Sequence, residues 1–280
     1  VRLNRLHRAL HNALTGKPHT LKIKSTEDGN LHRSLKVLVA EDNPINQRVA
    51  TLQLNKLGHQ IKICEHGQAV IESDLDKFDI VLMDCQMPVL DGLEATRRIR
   101  DQELSNNTSN PVYIIAMTAN TQQDDRAACL EAGMDDFISK PVQLNELRAA
   151  LKKSLGGEPE KYLNDDDRPL LSRSQLDQLR SNGQDEDFHE IISMYLEQTG
   201  KQLCMLHEAF AEQNLESISH ISHQIKGSSA NMGASQLADA CSRLENESIA
   251  GNLPAIRQLL TEISGTFDRT EVQLRAILKE

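Results

Sequence analysis

Residues 81–92 read VLMDCQMPVLDG: an apolar, β-branched run that stops on one carboxylate, Asp84, and passes into turn chemistry. Pro88 restricts Met87 to extended backbone, and Gly92 permits a sharp exit into whatever follows Asp91. The same grammar recurs along the chain. LKVLVA (35–40) ends on Glu41-Asp42, PVYIIAM (111–117) leads to Thr118, and the fainter DDFIS (135–139) leads to Lys140-Pro141. HQIKIC (59–64) and FDIVLM (78–83) complete five short runs. Amphipathic stretches lie between and after them at 44–57, 67–75, 92–103, 121–132 and 143–155. Strands alternating with helices at this spacing predict βαβ crossovers and a parallel sheet with helices on both faces.

Five such units over residues 35–155 predict an α/β doubly wound, five-stranded parallel sheet of flavodoxin-like type. Chemistry in an open parallel sheet sits beyond the carboxyl ends of its strands. The residues there are Glu41 and Asp42, Asp84, Thr118 and Lys140. Three carboxylates, a hydroxyl and an ammonium therefore share one rim. Crowded carboxylates repel one another and call for a cation. A hard divalent ion such as Mg2+ suits an all-oxygen donor set. Carboxylates, Mg2+, a hydroxyl and a lysine together form a site for holding a phosphoryl group.

Beyond residues 156–171, GGEPEKYLNDDDRPLL, which read as a linker, the strand pattern disappears. Residues 172–280 carry helical periods near 174–181, 186–211, 214–231, 235–249 and 252–278, punctuated by Gly233, Gly251 and Pro254. Long helices on short connections predict an antiparallel all-α bundle. The segment SISHISHQIKGSSANMGA (217–234) holds two histidines. Leu215, Ile218, Ile221, Ile225, Ser229 and Met232 form one stripe, and both His220 and His223 fall outside it. Gly227 and Ala230 share the face of His223. A mid-helix Gly costs about 1 kcal/mol relative to Ala, so close approach by a partner is its expected compensation. Lys226, three residues after His223, can meet a phosphoryl group. No general base is evident beside His223. His189, His207 and His220 read as solvated surface groups.

Composition narrows the classes without choosing among them. The 280 residues carry a net charge of −10 and only 3% aromatics, which argues against a directly bound nucleic acid. No apolar run is long enough to span a bilayer. The five cysteines are scattered and lack CxxC spacing, which favours reduced thiols and a cytoplasmic setting.

The motifs VLVAEDNPINQ (37–47), VLMDCQMPVLDG (81–92), IIAMTAN (114–120) and ISKP (138–141) resemble the receiver domain of two-component response regulators over residues 35–155. The resemblance implies that Asp84 accepts the phosphoryl group. It implies that Glu41, Asp42, Asp84 and the Cys85 carbonyl hold Mg2+, that Thr118 and Lys140 bind phosphoryl oxygens, and that Phe137 occupies the position of a rotating aromatic switch, or else is simply core. HQIKGSSANMGA (223–234) resembles the histidine-containing phosphotransfer (HPt) signature, a four-helix bundle. It implies that His223 carries phosphate, supported by Lys226 and Gly227. The order receiver–HPt resembles the C-terminal part of a hybrid sensor histidine kinase, with an upstream kinase domain and a downstream response regulator as partners. The alternatives are a stand-alone receiver–HPt adaptor and a phosphorylation-independent scaffold. No Gly-rich nucleotide-binding motif is present, so any kinase activity would belong to a parent protein, possible membrane anchoring included.

Two further expectations concern contacts. Helix 44–57 shows two stripes: Ala50, Leu54 and Leu57 face the sheet, while Ile45, Val49 and Leu52 either receive the bundle or are buried among neighbours. Residues 1–16, VRLNRLHRALHNALTG, match half the positions of 142–157. That match predicts a helix left from a preceding receiver-like domain, joined through a linker at 17–34.

Overall fold

The computed structural model describes residues 34–118, 123–155 and 170–279. The expectations for residues 1–33 and for most of the 156–171 linker lie outside these.

Five strands, β1 (Lys36–Ala40), β2 (Gln60–Cys64), β3 (Ile80–Asp84), β4 (Tyr113–Thr118) and β5 (Asp136–Ser139), form one parallel sheet in the order β2-β1-β3-β4-β5. Helices α1 (Pro44–Lys56), α2 (Gly67–Ile71), α3 (Gly92–Ser105) and α4 (Gln123–Ala132) supply the four crossovers, and α5 (Leu144–Ser154) follows β5. β3 is buried along its whole length, which is why it reads as an unbroken apolar run. Two cores flank the sheet. Val37, Val39, Leu82, Ile115 and Met117 pack with Ala50, Leu54 and Leu147 on one face. Leu38, Val81, Met83 and Ile114 pack with Val70, Ala95 and Ile99 on the other.

The helix expected at 67–75 ends at Ile71, and a 3-10 turn follows at Leu75–Lys77. Ser73 Oγ turns back onto the Ala69 carbonyl (2.8 Å), and Asp74 leaves helical backbone.

Helix α6 (Arg173–Ser181) precedes four long helices: α7 (Asp185–Ala211), α8 (Leu215–Asn231), α9 (Ser235–Ala250) and α10 (Leu253–Ile277). The Asn214 side chain caps α8 on the Ser217 N–H (3.0 Å), and Pro254 lies in the first turn of α10. Ile218, Ile221, Ile225, Ser229 and Met232 are buried, as their stripe predicts.

That bundle core continues into the α/β domain. Ile45, Val49 and Leu52 of α1 belong to the bundle's cluster, whereas Ala50 and Leu54 belong to the sheet's. The two stripes of α1 thus face two different domains. Each of these three apolar side chains gains about 1.5–3 kcal/mol on burial. The flanking ion pairs, Arg48 with Asp187 (2.7 Å) and Glu190 (2.6 Å), are partly solvated and weaker, so they set register more than affinity. Among the described residues, no helix is long and apolar enough to cross a membrane.

Candidate functional site

Strand register builds the acidic rim. Ala40 pairs with Met83, so Glu41 follows β1 level with Asp84 at the end of β3. Asp84 pairs in turn with Met117, next to Thr118, and Thr118 pairs with Ser139, next to Lys140. This lies at the switch point between β1 and β3, where the chain changes direction across the sheet. Residues from four strand ends far apart in sequence meet there because parallel strands end together.

Glu41 and Asp84 are each only 2% exposed. Lys140 Nζ bridges them, 2.7 Å from Glu41 Oε2 and 2.6 Å from Asp84 Oδ2. Burial pushes the Asp84 carboxyl up to about 6; the Lys140 ammonium opposes this shift and the Glu41 carboxylate adds to it. For Lys140, burial alone favours the neutral amine, but Asp84 and Glu41 outweigh it and push the pKa up. One oxygen each from Glu41, Asp42 and Asp84 fall within 4.8 Å of one another, a donor set that fits a hard divalent cation.

The turn after β3 is held by backbone. The Gly92 N–H donates to the Cys85 carbonyl (3.1 Å), and any Cβ at Gly92 would collide with the Asp84 carbonyl oxygen. The Cys85 thiol sits 3.5 Å from Cys129, and that contact together with burial raises its pKa. Phe137 is half-buried against the core, with the Arg126 guanidinium 4.3 Å from its ring centre.

His223 reaches this rim through the docked α8. Gln224 Nε2 donates to Asp42 Oδ2 (2.8 Å), and Asn43 Nδ2 donates to the Gln224 carbonyl (3.1 Å). A charge on His223 is close enough to Asp84 to favour its carboxylate. The His223 side chain is 14% exposed, less than a solvated helix face implies. His220, read from sequence as bland, lies 3.9 Å from Asp42 Oδ2.

Sequence reasoning found no partner for the histidine ring, and the structure supplies one. Glu245 of α9 receives His223 Nδ1 (3.0 Å) on one oxygen and Lys226 Nζ (2.6 Å) on the other. Burial penalises the Glu245 carboxylate, but His223 and Lys226 outweigh it and hold its pKa below the ordinary range. With Nδ1 committed to Glu245, Nε2 is the ring nitrogen left for chemistry. The sequence signal was slight: one acid four residues after Cys241, within the buried stripe Leu237, Cys241, Leu244 and Ser248.

Gly227 faces α1. A Cβ there would lie 3.2 Å from Asn46 Nδ2. Asn46 cannot easily yield, since it donates to Glu41 Oε1 (2.9 Å) and accepts from Asn231 (2.7 Å).

Residues 37–152 match the family described as response regulator receiver domain, and residues 190–273 match the Hpt domain family. The sensor protein GacS of Pseudomonas syringae pv. syringae is 28% identical over 88% of this chain and 28% of its own length. Hybrid signal transduction histidine kinase K of Dictyostelium discoideum is 40% identical over 46% of this chain and 11% of its own. The chain thus spans under a third of either relative. Among solved structures, the receiver domain of a Pseudomonas aeruginosa sensor histidine kinase, with a magnesium ion in its active-site cleft, is 41% identical. It covers 45% of this chain and 100% of that one, with a TM-score of 0.40.

Proposed function

We propose that this chain, which joins a response regulator receiver domain to an Hpt domain and serves phosphorelay signalling, passes a phosphoryl group from Asp84 to His223 within the docked pair. The observation that carries this reading is the hydrogen bond from Gln224, next to His223, to the rim carboxylate Asp42.

Glu41, Asp42 and Asp84 would hold Mg2+, with a free lone pair of the Cys85 carbonyl. The ion would offset charge on the phosphoryl oxygens. The chain's own residues do the rest. An Asp84 carboxylate oxygen takes the phosphoryl group from a donor. Thr118 donates a hydrogen bond to a phosphoryl oxygen, and Lys140 exchanges its carboxylate partners for that oxygen. His223 Nε2 then attacks phosphorus. The N–P bond forms, the Asp84 O–P bond breaks, and its electron pair returns to the carboxylate. Nδ1 keeps its proton and donates it in a hydrogen bond to Glu245, which stabilises positive charge developing on the ring. Lys226, held by the same carboxylate, lies one turn away to pair with the arriving phosphate. No proton has to leave, so the earlier lack of a visible base in the sequence is no obstacle.

The same bundle face would then serve a downstream receiver, and a histidine kinase domain would load Asp84. The test is site mapping in Mg2+ with a small acyl phosphate as donor. Phosphohistidine should appear in the peptide bearing His223. Label confined to Asp84 in a chain that is still docked would refute the reading.

A further inference from the structure

The contact between Gln224 and Asp42 joins two domains at a carboxylate of the cation site, and its polarity is set from behind. Gln202 of α7, only 5% exposed, donates through Nε2 to Gln224 Oε1 (3.0 Å). Gln224 then donates through its own Nε2 to Asp42 Oδ2 (2.8 Å). Reversing either amide would set oxygen against oxygen, at Asp42 or between the two glutamines. Among the described residues the buried Gln202 Oε1 has no hydrogen-bond partner. Two amides thus lie head to tail, a relay of donors that ends on one oxygen of Asp42. Asp42 itself is largely shielded, its side chain 8% exposed, so few water molecules compete to orient it.

We propose that Gln224 is a positioning residue supplied by the bundle to the receiver's cation site, so that docking and divalent-cation binding strengthen one another. This rests on reading Glu41, Asp42 and Asp84 as the Mg2+ ligands. A hydrogen bond to one carboxylate oxygen fixes the group's rotamer and leaves its other oxygen for the ion. Such partners behind a ligand are worth tenfold or more in metal affinity. Linkage requires the reciprocal effect: the ion must tighten docking by the same factor that docking tightens the ion. The bundle would therefore close on a receiver that is ready for chemistry and release one that is not. A downstream receiver would be sensed by the same amide through its equivalent carboxylate.

The experiment is Mg2+ titration calorimetry on the whole chain, with no phosphoryl donor present, paired with hydrogen exchange of α1 as a readout of docking. Gln224→Leu should weaken Mg2+ binding about tenfold and abolish the slowing of α1 exchange by Mg2+. Gln202→Leu, which keeps Gln224 but frees its amide to turn, should fall between this variant and the wild type. Arg48→Ala loosens docking away from the acidic rim. In this variant saturating Mg2+ should restore α1 protection, as it should not in Gln224→Leu. Mg2+ affinity within twofold of wild type in Gln224→Leu overturns the proposal while leaving the Asp84-to-His223 reading intact. Failure of the wild-type chain to bind Mg2+ overturns both.

Discussion

Asp84→Asn abolishes delivery of phosphate to the bundle when an upstream kinase is the sole donor, and His223→Gln leaves phosphate stalled on the receiver. The carboxamide of Asn has no anionic oxygen with which to attack phosphorus. The effect is therefore loss of the route and not a shift in rate. Folding should survive, because Asp84 is buried at some cost: burial and the Glu41 charge both press it toward its neutral form. Neutral Asn relieves that repulsion and leaves Lys140 paired with Glu41. Thermal melts at or above wild type, with no label on His223, are the expected pair of results. Label reaching His223 at the wild-type rate in Asp84→Asn would mean that the kinase addresses the bundle directly.

Gly227→Leu is the second large effect. In an isolated helix it raises helix propensity by close to 1 kcal/mol, so the bundle should keep or gain stability. At the interface the new Cβ meets Asn46 Nδ2 at 3.2 Å, and the rest of the side chain has to displace α1. Asn46 is pinned between Glu41 and Asn231, so the strain passes to the acidic rim itself. A shift of about 1 Å between reacting groups costs roughly 100-fold in rate. Transfer should fall by about that factor, while circular dichroism shows intact helices. Gly227→Ala, whose single methyl needs only a few tenths of an ångström, should be far milder. A wild-type rate in the leucine variant would show that α8 approaches the receiver by another face.

Much of this was legible because it depends on periodicity and on strand ends. A run that alternates with helices at this spacing can form only a parallel sheet, and parallel strands must end together. Glu41, Asp42, Asp84, Thr118 and Lys140 could therefore be grouped from sequence, and the fold brings their strand ends to one rim. The double stripe of α1 also showed in the sequence, though whether Ile45, Val49 and Leu52 met a second domain or a wide core could not be chosen there. Apolar spacing reports that a face is covered and says nothing of what covers it. The polar contacts were hidden for a different reason. Glu245, Gln202 and Gln224 come from three helices whose mutual rotation only tertiary packing fixes, and each one alone looks like an ordinary helix-surface residue. His220 stays exposed, as its place off the core stripe suggested, and what its own helix could not show is only that Asp42 of the other domain lies 3.9 Å away. The helix at 67–75 failed locally, where Ser73 competes for a helical carbonyl and ends the turn early.

The measurement that bears most directly on a docked Asp84–His223 pair is the concentration dependence of transfer in a single turnover. The chain is loaded on Asp84, and the appearance of phosphohistidine is followed by rapid quench over a wide range of protein concentration. Transfer within one chain gives a single rate constant independent of concentration, and mixing Asp84→Asn with His223→Gln chains restores transfer only slowly. A rate that rises in proportion to concentration, matched by the mixed variants, would contradict it.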